Sequence, residues 1–239
     1  MSAFVIAGRE YASLFRIPLG WVVMALLTAL SGLVVALAVL EPGAIASMRA
    51  FFVVAVHLLL PVAPAISMRL ISEEARTGTL ESLLASPVGS FELALGKLVG
   101  GWAFLITCLS PTVLMAAALW IAADPVPDPG PLVAGYLTLG SLAAAYLGVG
   151  LAVSATTDSQ TLSFLATFMI LLGLIIATTV GPGIAPAPVD AWLTSLSLTA
   201  RLSDAGKGVI DLAHLAYFWG IAAVSTAAAA TLIEARRCP

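Results

Sequence analysis

The side chains that most often do chemistry are few in this sequence, and they are scattered. The histidines are His57 and His214, and the cysteines are Cys108 and Cys238. Neither type has the spacing of a metal site or of a disulfide framework. No catalytic pair or triad of nucleophile, base and acid is evident. We therefore expect no catalytic residue, no metal and no cofactor bound by this chain.

A nucleotide site is also missing from the sequence. A phosphate loop needs G-x-x-x-x-G-K-[ST], so that backbone amides and the lysine surround the phosphates. In the stretch from Gly89 to Lys97, six residues lie between the two glycines instead of four, and a leucine follows the lysine. The stretch from Ala205 to Gly208 contains a glycine followed by a lysine, but no other glycine lies at the required distance before them. If this protein performs a process that needs energy, the energy must come from another chain or from an ion gradient. We therefore expect no enzymatic activity in this chain.

His57 lies inside an apolar run, close to Pro61 and Pro64. Ionisable side chains are costly in a membrane and often functional. The commoner case is a neutral histidine that forms a hydrogen bond with a neighbouring helix. The two prolines free backbone carbonyls that such a group could satisfy. We predict this structural role for His57, and we predict that His214 is solvated at an interface.

The composition indicates which elements must hold these residues. The 239 residues are 61% hydrophobic and 10% charged, whereas a soluble domain carries about 25% charged residues. So few polar side chains cannot cover the surface of a soluble fold. We therefore predict an all-α, polytopic membrane protein. The net charge of −3 gives no nucleic-acid-binding footprint.

Six apolar runs are long enough to cross a bilayer, which takes about 20 residues. They are residues 19–40, 51–68, 98–123, 132–154, 162–180 and 213–233. The first run is longer than the apolar core of a cleaved signal peptide, about 7–15 residues. Residues 1–18 carry aromatic and leucine side chains at near-helical spacing, which predicts an amphipathic interfacial helix. A frayed tail is the alternative.

The lysines and arginines predict the orientation, because cytoplasmic loops carry an excess of them. With the N-terminus in the cytoplasm, three of the ten lie outside, namely Arg49, Arg201 and Lys207. We therefore predict a multi-pass protein of the cell (inner) membrane with both termini cytoplasmic. Residues 69–97 then form a cytoplasmic loop, and residues 181–212 form an outer segment.

The loop of residues 69–97 holds most of the charge in the first half of the chain. Ser72 is placed to cap a helix whose first turn carries Glu73 and Glu74, where carboxylates suit the helix dipole. Gly78 is expected to break this helix. We therefore predict a short acidic helix directly after the second span.

A second short helix is predicted from Thr79 until Pro87 stops it. Its apolar face would carry Leu80, Leu83 and Leu84, with Glu81 on another face. Such an amphipathic helix is either a solvated connector or a docking helix that enters a groove on a soluble partner.

Two sets of small residues predict close helix packing in lipid. One set is a stripe on the fourth span, made of Gly140, Ala144, Gly148 and Ala152. The other set is Gly96 and Gly100 at the start of the third span. We favour packing within the chain, and a seam between two copies is the alternative. Lys97 is predicted to reach lipid phosphate at the interface.

The stretch of residues 68–97 resembles the signature cytoplasmic loop of ABC-2-type permeases. That loop reads E-x-x-x-G-T, then a hydrophobic residue, E, two hydrophobic residues and a proline, with G-K opening the next span. The matching residues are Glu74, Gly78, Thr79, Leu80, Glu81, Leu83, Leu84, Pro87, Gly96 and Lys97. Stretches that begin at Gly135 and Ser197 are similar to other parts of the family. The likeness is greatest to the gliding-motility-associated and copper-enzyme-maturation permeases.

The resemblance implies that residues 1–239 form one transmembrane domain of an exporter. It implies a second permease copy or related permease, and two copies of a cytoplasmic ATPase that binds ATP and Mg. Residues 73–87 would be the ATPase-coupling segment, residues 1–18 an elbow helix, and residues 181–212 short re-entrant helices. Membrane lipid and a periplasmic or extracellular accessory protein are further expected partners, and a hydrophobic or lipid-linked cargo suits the apolar spans.

Other classes of protein stay open at this point. A secondary transporter or channel that acts without an ATPase predicts paired intramembrane charges or broken helices in two halves. A membrane-embedded enzyme needs a catalytic pair at membrane depth. An ABC-type subunit that transmits force to a periplasmic partner without transport would carry the same loop.

Overall fold

The computed structural model describes residues 3–39, 47–84, 88–123, 128–182, 184, 186–208 and 211–237. Within these ranges the chain forms eleven helices and no strand, which confirms the predicted all-α fold. In chain order they are α1 (Ala3–Arg16), α2 (Pro18–Ala38), α3 (Arg49–Ser67), α4 (Ser72–Thr77), α5 (Thr79–Leu84), α6 (Ser90–Ala122), α7 (Pro129–Ser154), α8 (Gln160–Val180), α9 (Ala187–Ser195), α10 (Leu198–Ala205) and α11 (Leu212–Arg237). The predicted helix stop at Pro87 lies outside the described residues, as does Cys238.

Six of the described helices, α2, α3, α6, α7, α8 and α11, are long and apolar enough to cross a membrane. The prediction of six spans is therefore confirmed. The helix that differs most from its predicted run is α6, which begins at Ser90 rather than at Leu98. Its 33 residues extend about 50 Å, against a hydrocarbon core of about 30 Å. Consequently α6 is longer than a span requires, and its first two turns contain the end of the predicted loop.

The helix α7 occupies the centre of the fold, where it packs against α3, α6, α8 and α11. Its stripe of small residues faces these neighbours. A Cβ atom added at Gly148 would lie 3.0 Å from a Cα atom of α11, so the two backbones nearly touch. The carbonyl of Gly140 accepts a hydrogen bond from an indole of α6 (2.8 Å), and Ala144 is fully buried. Ala152 is half-buried, and the stripe packs within the chain.

The N-terminal helix α1 lies against α6, and two glycines of α6 allow the close approach. A Cβ atom added at Gly96 would lie 2.8 Å from the carbonyl oxygen of Ala3. One added at Gly100 would lie 2.7 Å from the carbonyl oxygen of Ala7. The side of α1 that faces α6 is buried, whereas Phe4 on the opposite side is 83% exposed. Thus α1 is amphipathic, as predicted, and its place in the membrane interface stays a prediction.

Residues 181–212 contain two short helices before the last span, α9 and α10. Their re-entry into the membrane stays a prediction. A hydrogen bond from Lys207 holds the pKa of Asp204 below its ordinary value. His214 was predicted to be solvated, but only 17% of its side chain is exposed and it lies 3.8 Å from Asp211. That prediction is wrong because α11 turns the imidazole toward the protein.

His57 faces away from the helix bundle. Its side chain is exposed on α3, and it forms no hydrogen bond with any other residue that the structure describes. The predicted hydrogen bond to a neighbouring helix is therefore wrong, because none of the eleven described helices covers that side of α3.

Candidate coupling site

The acidic helix α4 begins with a cap that comes from another part of the chain. Ile71, not Ser72, precedes the helix, and the hydroxyl of Ser72 gives no cap to its own helix. The Oγ of Ser154, the last residue of α7, accepts hydrogen bonds from the backbone N–H of Ile71 (3.2 Å) and of Ser72 (2.9 Å). The hydroxyl of Ser72 donates in turn to the carbonyl of Ser154 (3.0 Å). The sequence prediction of a Ser72 cap is wrong, and α4 is fastened to α7.

Replacing Ser154 by alanine is expected to destabilise the protein by about 1–3 kcal/mol, because it leaves buried backbone N–H groups without an acceptor. The measurement is the midpoint of thermal unfolding in detergent. The matched control is Ser163→Ala, since the Ser163 hydroxyl is also buried but has no hydrogen-bond partner among the residues that the structure describes. An equal midpoint for the two variants would contradict the capping role of Ser154.

Gly78 separates α4 from α5. Its φ is +72°, in the left-handed region that favours glycine, so α4 ends here as predicted. In α5, Leu80 is buried in this chain's own core at 4% exposure, Glu81 is exposed and Leu83 is half-buried. The side chain of Leu84 lies outside the described part of the chain. The predicted leucine face of α5 therefore does not point in one direction only: Leu80 packs inside this chain, whereas Leu83 is partly accessible.

Lys97 of α6 is fully buried and binds two carboxylates from other helices. Its Nζ lies 2.9 Å from Oε1 of Glu10 on α1 and 2.8 Å from Oε2 of Glu74 on α4. The prediction that Lys97 reaches lipid phosphate is wrong. The reason is that α1 packs over Gly96 and Gly100, so the ammonium is enclosed between helices before it can reach a headgroup.

Two arginines complete the cluster. Nη2 of Arg9 lies 3.1 Å from Glu74 and 3.6 Å from Glu10, and Arg69 donates two hydrogen bonds to Glu73 (2.7 and 2.6 Å). Each carboxylate therefore has a cationic partner. Burying an ion is expensive unless it is paired, so the balance of charges is what allows Lys97 to be buried. We call Arg9, Glu10, Glu74 and Lys97 the ionic cluster.

A cavity of about 530 Å³ opens beside the ionic cluster, between α1 and the segment α4–α5. Its walls include Arg9, Arg69, Glu73, Thr79 and Leu83. Because this space separates α5 from α1, the α4–α5 segment has room to shift while Glu74 keeps it connected to α6. Within the described residues, no group of three or more His, Cys, Asp or Glu side chains could hold a metal ion.

The sequence pointed to Glu74 and Lys97, although in separate roles, and it did not indicate a role for Glu10 or Ser154. Glu10 lies 87 residues from Lys97, and Ser154 lies 82 residues from Ser72. The available signals were weak. One was the single carboxylate of the amphipathic helix α1, and the other was a serine at the end of the small-residue span.

Comparison with known proteins places this arrangement in a family. The model of the ABC-2 family transporter proteins matches residues 44–193, more than half of the chain. The chain is also similar to the probable multidrug ABC transporter permease YbhR of Escherichia coli K12 and of E. coli O157:H7, at 27% identity over 127 residues in each case. These alignments cover 53% of this chain and 33% of each relative, so the chain matches about a third of the relatives' length. This six-span, all-helical membrane protein therefore belongs to the ABC-2 transporter family.

Proposed function

We propose that this chain is the membrane-spanning permease subunit of an ABC-2-type exporter, driven by a separate cytoplasmic ATPase through α4 and α5. The observation that supports this most directly is the attachment of α4 to two spans. Ser72 connects its start to Ser154 of α7, and Glu74 connects it to Lys97 of α6. A displacement of α4 would therefore act on both spans, and on α1 through Glu10.

The contact with the ATPase would fall on the outer side of α5. Glu81 is exposed and Leu83 is half-buried, whereas Leu80 is held in the core of this chain. We infer that Glu81 and Leu83 meet the partner, while Leu80 keeps α5 attached to the permease. The left-handed turn at Gly78 would let α5 change its angle to α4 while Ser154 and Lys97 hold α4.

The complete transporter would contain two permease chains and two ATPase subunits, with ATP and Mg bound by the ATPase. In this arrangement both termini and the segment α4–α5 lie in the cytoplasm, and the protein resides in the inner membrane. The printed name of the E. coli relatives, a probable multidrug permease, supports export of a hydrophobic or amphipathic cargo. The pattern of the coupling loop supports membership in the gliding-motility-associated and copper-enzyme-maturation subgroup, and an accessory protein on the outer side fits that subgroup.

Reversing the charge of Glu81 is expected to abolish binding of the ATPase while the permease still inserts and folds, because Glu81 is exposed and contributes little to the fold. Glu81→Lys and Leu83→Asp variants would be expressed in native membranes. The measurement is co-purification of a subunit that contains a phosphate loop.

The matched control is Glu92→Lys, the same charge reversal at an exposed residue in the first turn of α6. This variant is expected to keep the ATPase bound. If Glu81→Lys and Leu83→Asp also keep it, the coupling role of α5 is wrong, and a transporter or channel that works without an ATPase becomes the better interpretation.

A further inference from the structure

The helix α3 exposes only a narrow stripe along its length. The stripe runs through Ala50, Val54, His57, Pro61 and Ala65, at spacings of three and four residues, and His57 and Pro61 are its most exposed residues. The other sides of α3 pack against α2, α7, α8 and α10. The stripe is therefore the side of α3 that is left uncovered by the helices packed against it.

His57 lies near the middle of this span. It follows Arg49, the first residue of α3, by eight residues, which corresponds to about 12 Å along the helix. An ionisable side chain at the centre of a bilayer is costly and usually faces protein or water. Among the described residues His57 has no hydrogen-bond partner. Hydrocarbon offers it none either, so contact with lipid would leave the imidazole unsatisfied.

Pro61 leaves a second polar group of His57, its backbone carbonyl, without a hydrogen-bond donor. In an α-helix the carbonyl of residue 57 accepts a hydrogen bond from the N–H of residue 61, and proline has no N–H. The carbonyl of His57 therefore lacks its helical donor, on the side where the imidazole and the Pro61 ring are exposed. We call the imidazole and the carbonyl of His57, together with Pro61, the polar notch.

We propose that the polar notch faces water in the translocation path and contacts the polar end of an amphipathic cargo as it passes. This inference rests on the proposed transporter function. A dry contact with the same notch of a second copy would offer two imidazole N–H donors to four acceptors, the two carbonyls and the two remaining ring nitrogens, so two acceptors would stay unsatisfied. Water, or a cargo that carries O–H or N–H groups, can satisfy both the carbonyl and the imidazole.

Labelling of an introduced cysteine tests the proposal without knowledge of the cargo. His57→Cys would be made in a Cys238→Ser background, with Cys108 retained because it is fully buried. The matched control is Val224→Cys, which lies near the middle of α11 and is 72% exposed, on a helix that packs against α6 and α7. Membranes would be treated with a charged, membrane-impermeant methanethiosulfonate, and in parallel with membrane-permeant N-ethylmaleimide.

The impermeant reagent is expected to label His57→Cys at least about tenfold faster than Val224→Cys. A thiol in lipid is less ionised than a thiol in water, and one unit of pKa changes the thiolate fraction tenfold. The Cys238→Ser parent protein, which keeps Cys108, measures the background rate of labelling. Equal rates at the two sites, or labelling of His57→Cys by N-ethylmaleimide alone, would overturn the proposal. Neither result bears on the ATPase co-purification test. The proposal for the polar notch and the proposed coupling role of α5 can therefore be refuted independently.

Discussion

Replacing Lys97 by methionine is expected to destabilise the protein by about 3–5 kcal/mol, the cost of removing one partner from a buried ion pair. The ammonium is fully buried between Glu10 and Glu74. Without it, two mostly buried carboxylates face each other, and the half-exposed Arg9 is the nearest remaining cation. In thermal unfolding the midpoint is expected to fall on the order of 10 °C, since about 1 kcal/mol corresponds to 2–4 °C for a chain of this size.

The matched control for this prediction is Lys207→Met. Lys207 also pairs with a carboxylate, Asp204, but both side chains are about half exposed, and such surface pairs contribute below about 1 kcal/mol. A triple variant that adds Glu10→Gln and Glu74→Gln to Lys97→Met removes the unpaired charges and is expected to recover most of the lost stability. If Lys97→Met unfolds at the same temperature as Lys207→Met, the ionic cluster does not hold the helices together.

Replacing Gly100 by alanine is expected to push α1 away from α6. The added Cβ atom would lie 2.7 Å from both the carbonyl oxygen of Ala7 and the Cβ of Glu10, which is closer than van der Waals contact allows. Overpacking of this kind costs about 1–3 kcal/mol. The displacement would also move Glu10 away from Lys97, so the effect extends to the ionic cluster. Hydrogen exchange of the α1 amides, together with the thermal midpoint, measures both consequences.

The same substitution at Gly173 is the control, because a Cβ atom there meets nothing within 4 Å. Gly173 lies within α8, so alanine is expected to be neutral or to stabilise the helix by up to about 1 kcal/mol. Gly100→Ala is therefore expected to lower the thermal midpoint, and Gly173→Ala is expected not to lower it. Unchanged exchange of the α1 amides in Gly100→Ala would show that α1 does not depend on this close contact.

Several elements of the fold could be predicted from the sequence because they depend on local interactions. A helix in lipid satisfies its own backbone hydrogen bonds, so a run of about 20 apolar residues is enough to predict a span. Gly78 predicted the break between α4 and α5 for an equally local reason, since its φ of +72° is strained for other residues. A helical stretch from Ser90 into the third span was predicted for a similar reason, since nothing between Ser90 and Lys97 interrupts a helix, and α6 does begin at Ser90.

The partners of individual side chains could not be predicted in this way. The sequence indicated that Lys97 lies at the end of a span, which made a lipid phosphate a reasonable partner. The structure gives it Glu10 and Glu74 instead, because α1 folds back over the glycines of α6. Ser72 had the right spacing for a cap, yet Ser154 fills that role.

The sequence by itself determined the class of this protein, its six spans and the short broken helix pair between the second and third. Only the tertiary structure decided which helix faces meet, and with them the ionic cluster, the attachment of α4 to α7 and the outward direction of His57. The physical reason is that helix formation depends on residues within about four positions of each other. The contacts that couple helices join residues more than 80 positions apart, and their identity follows from how the helices pack.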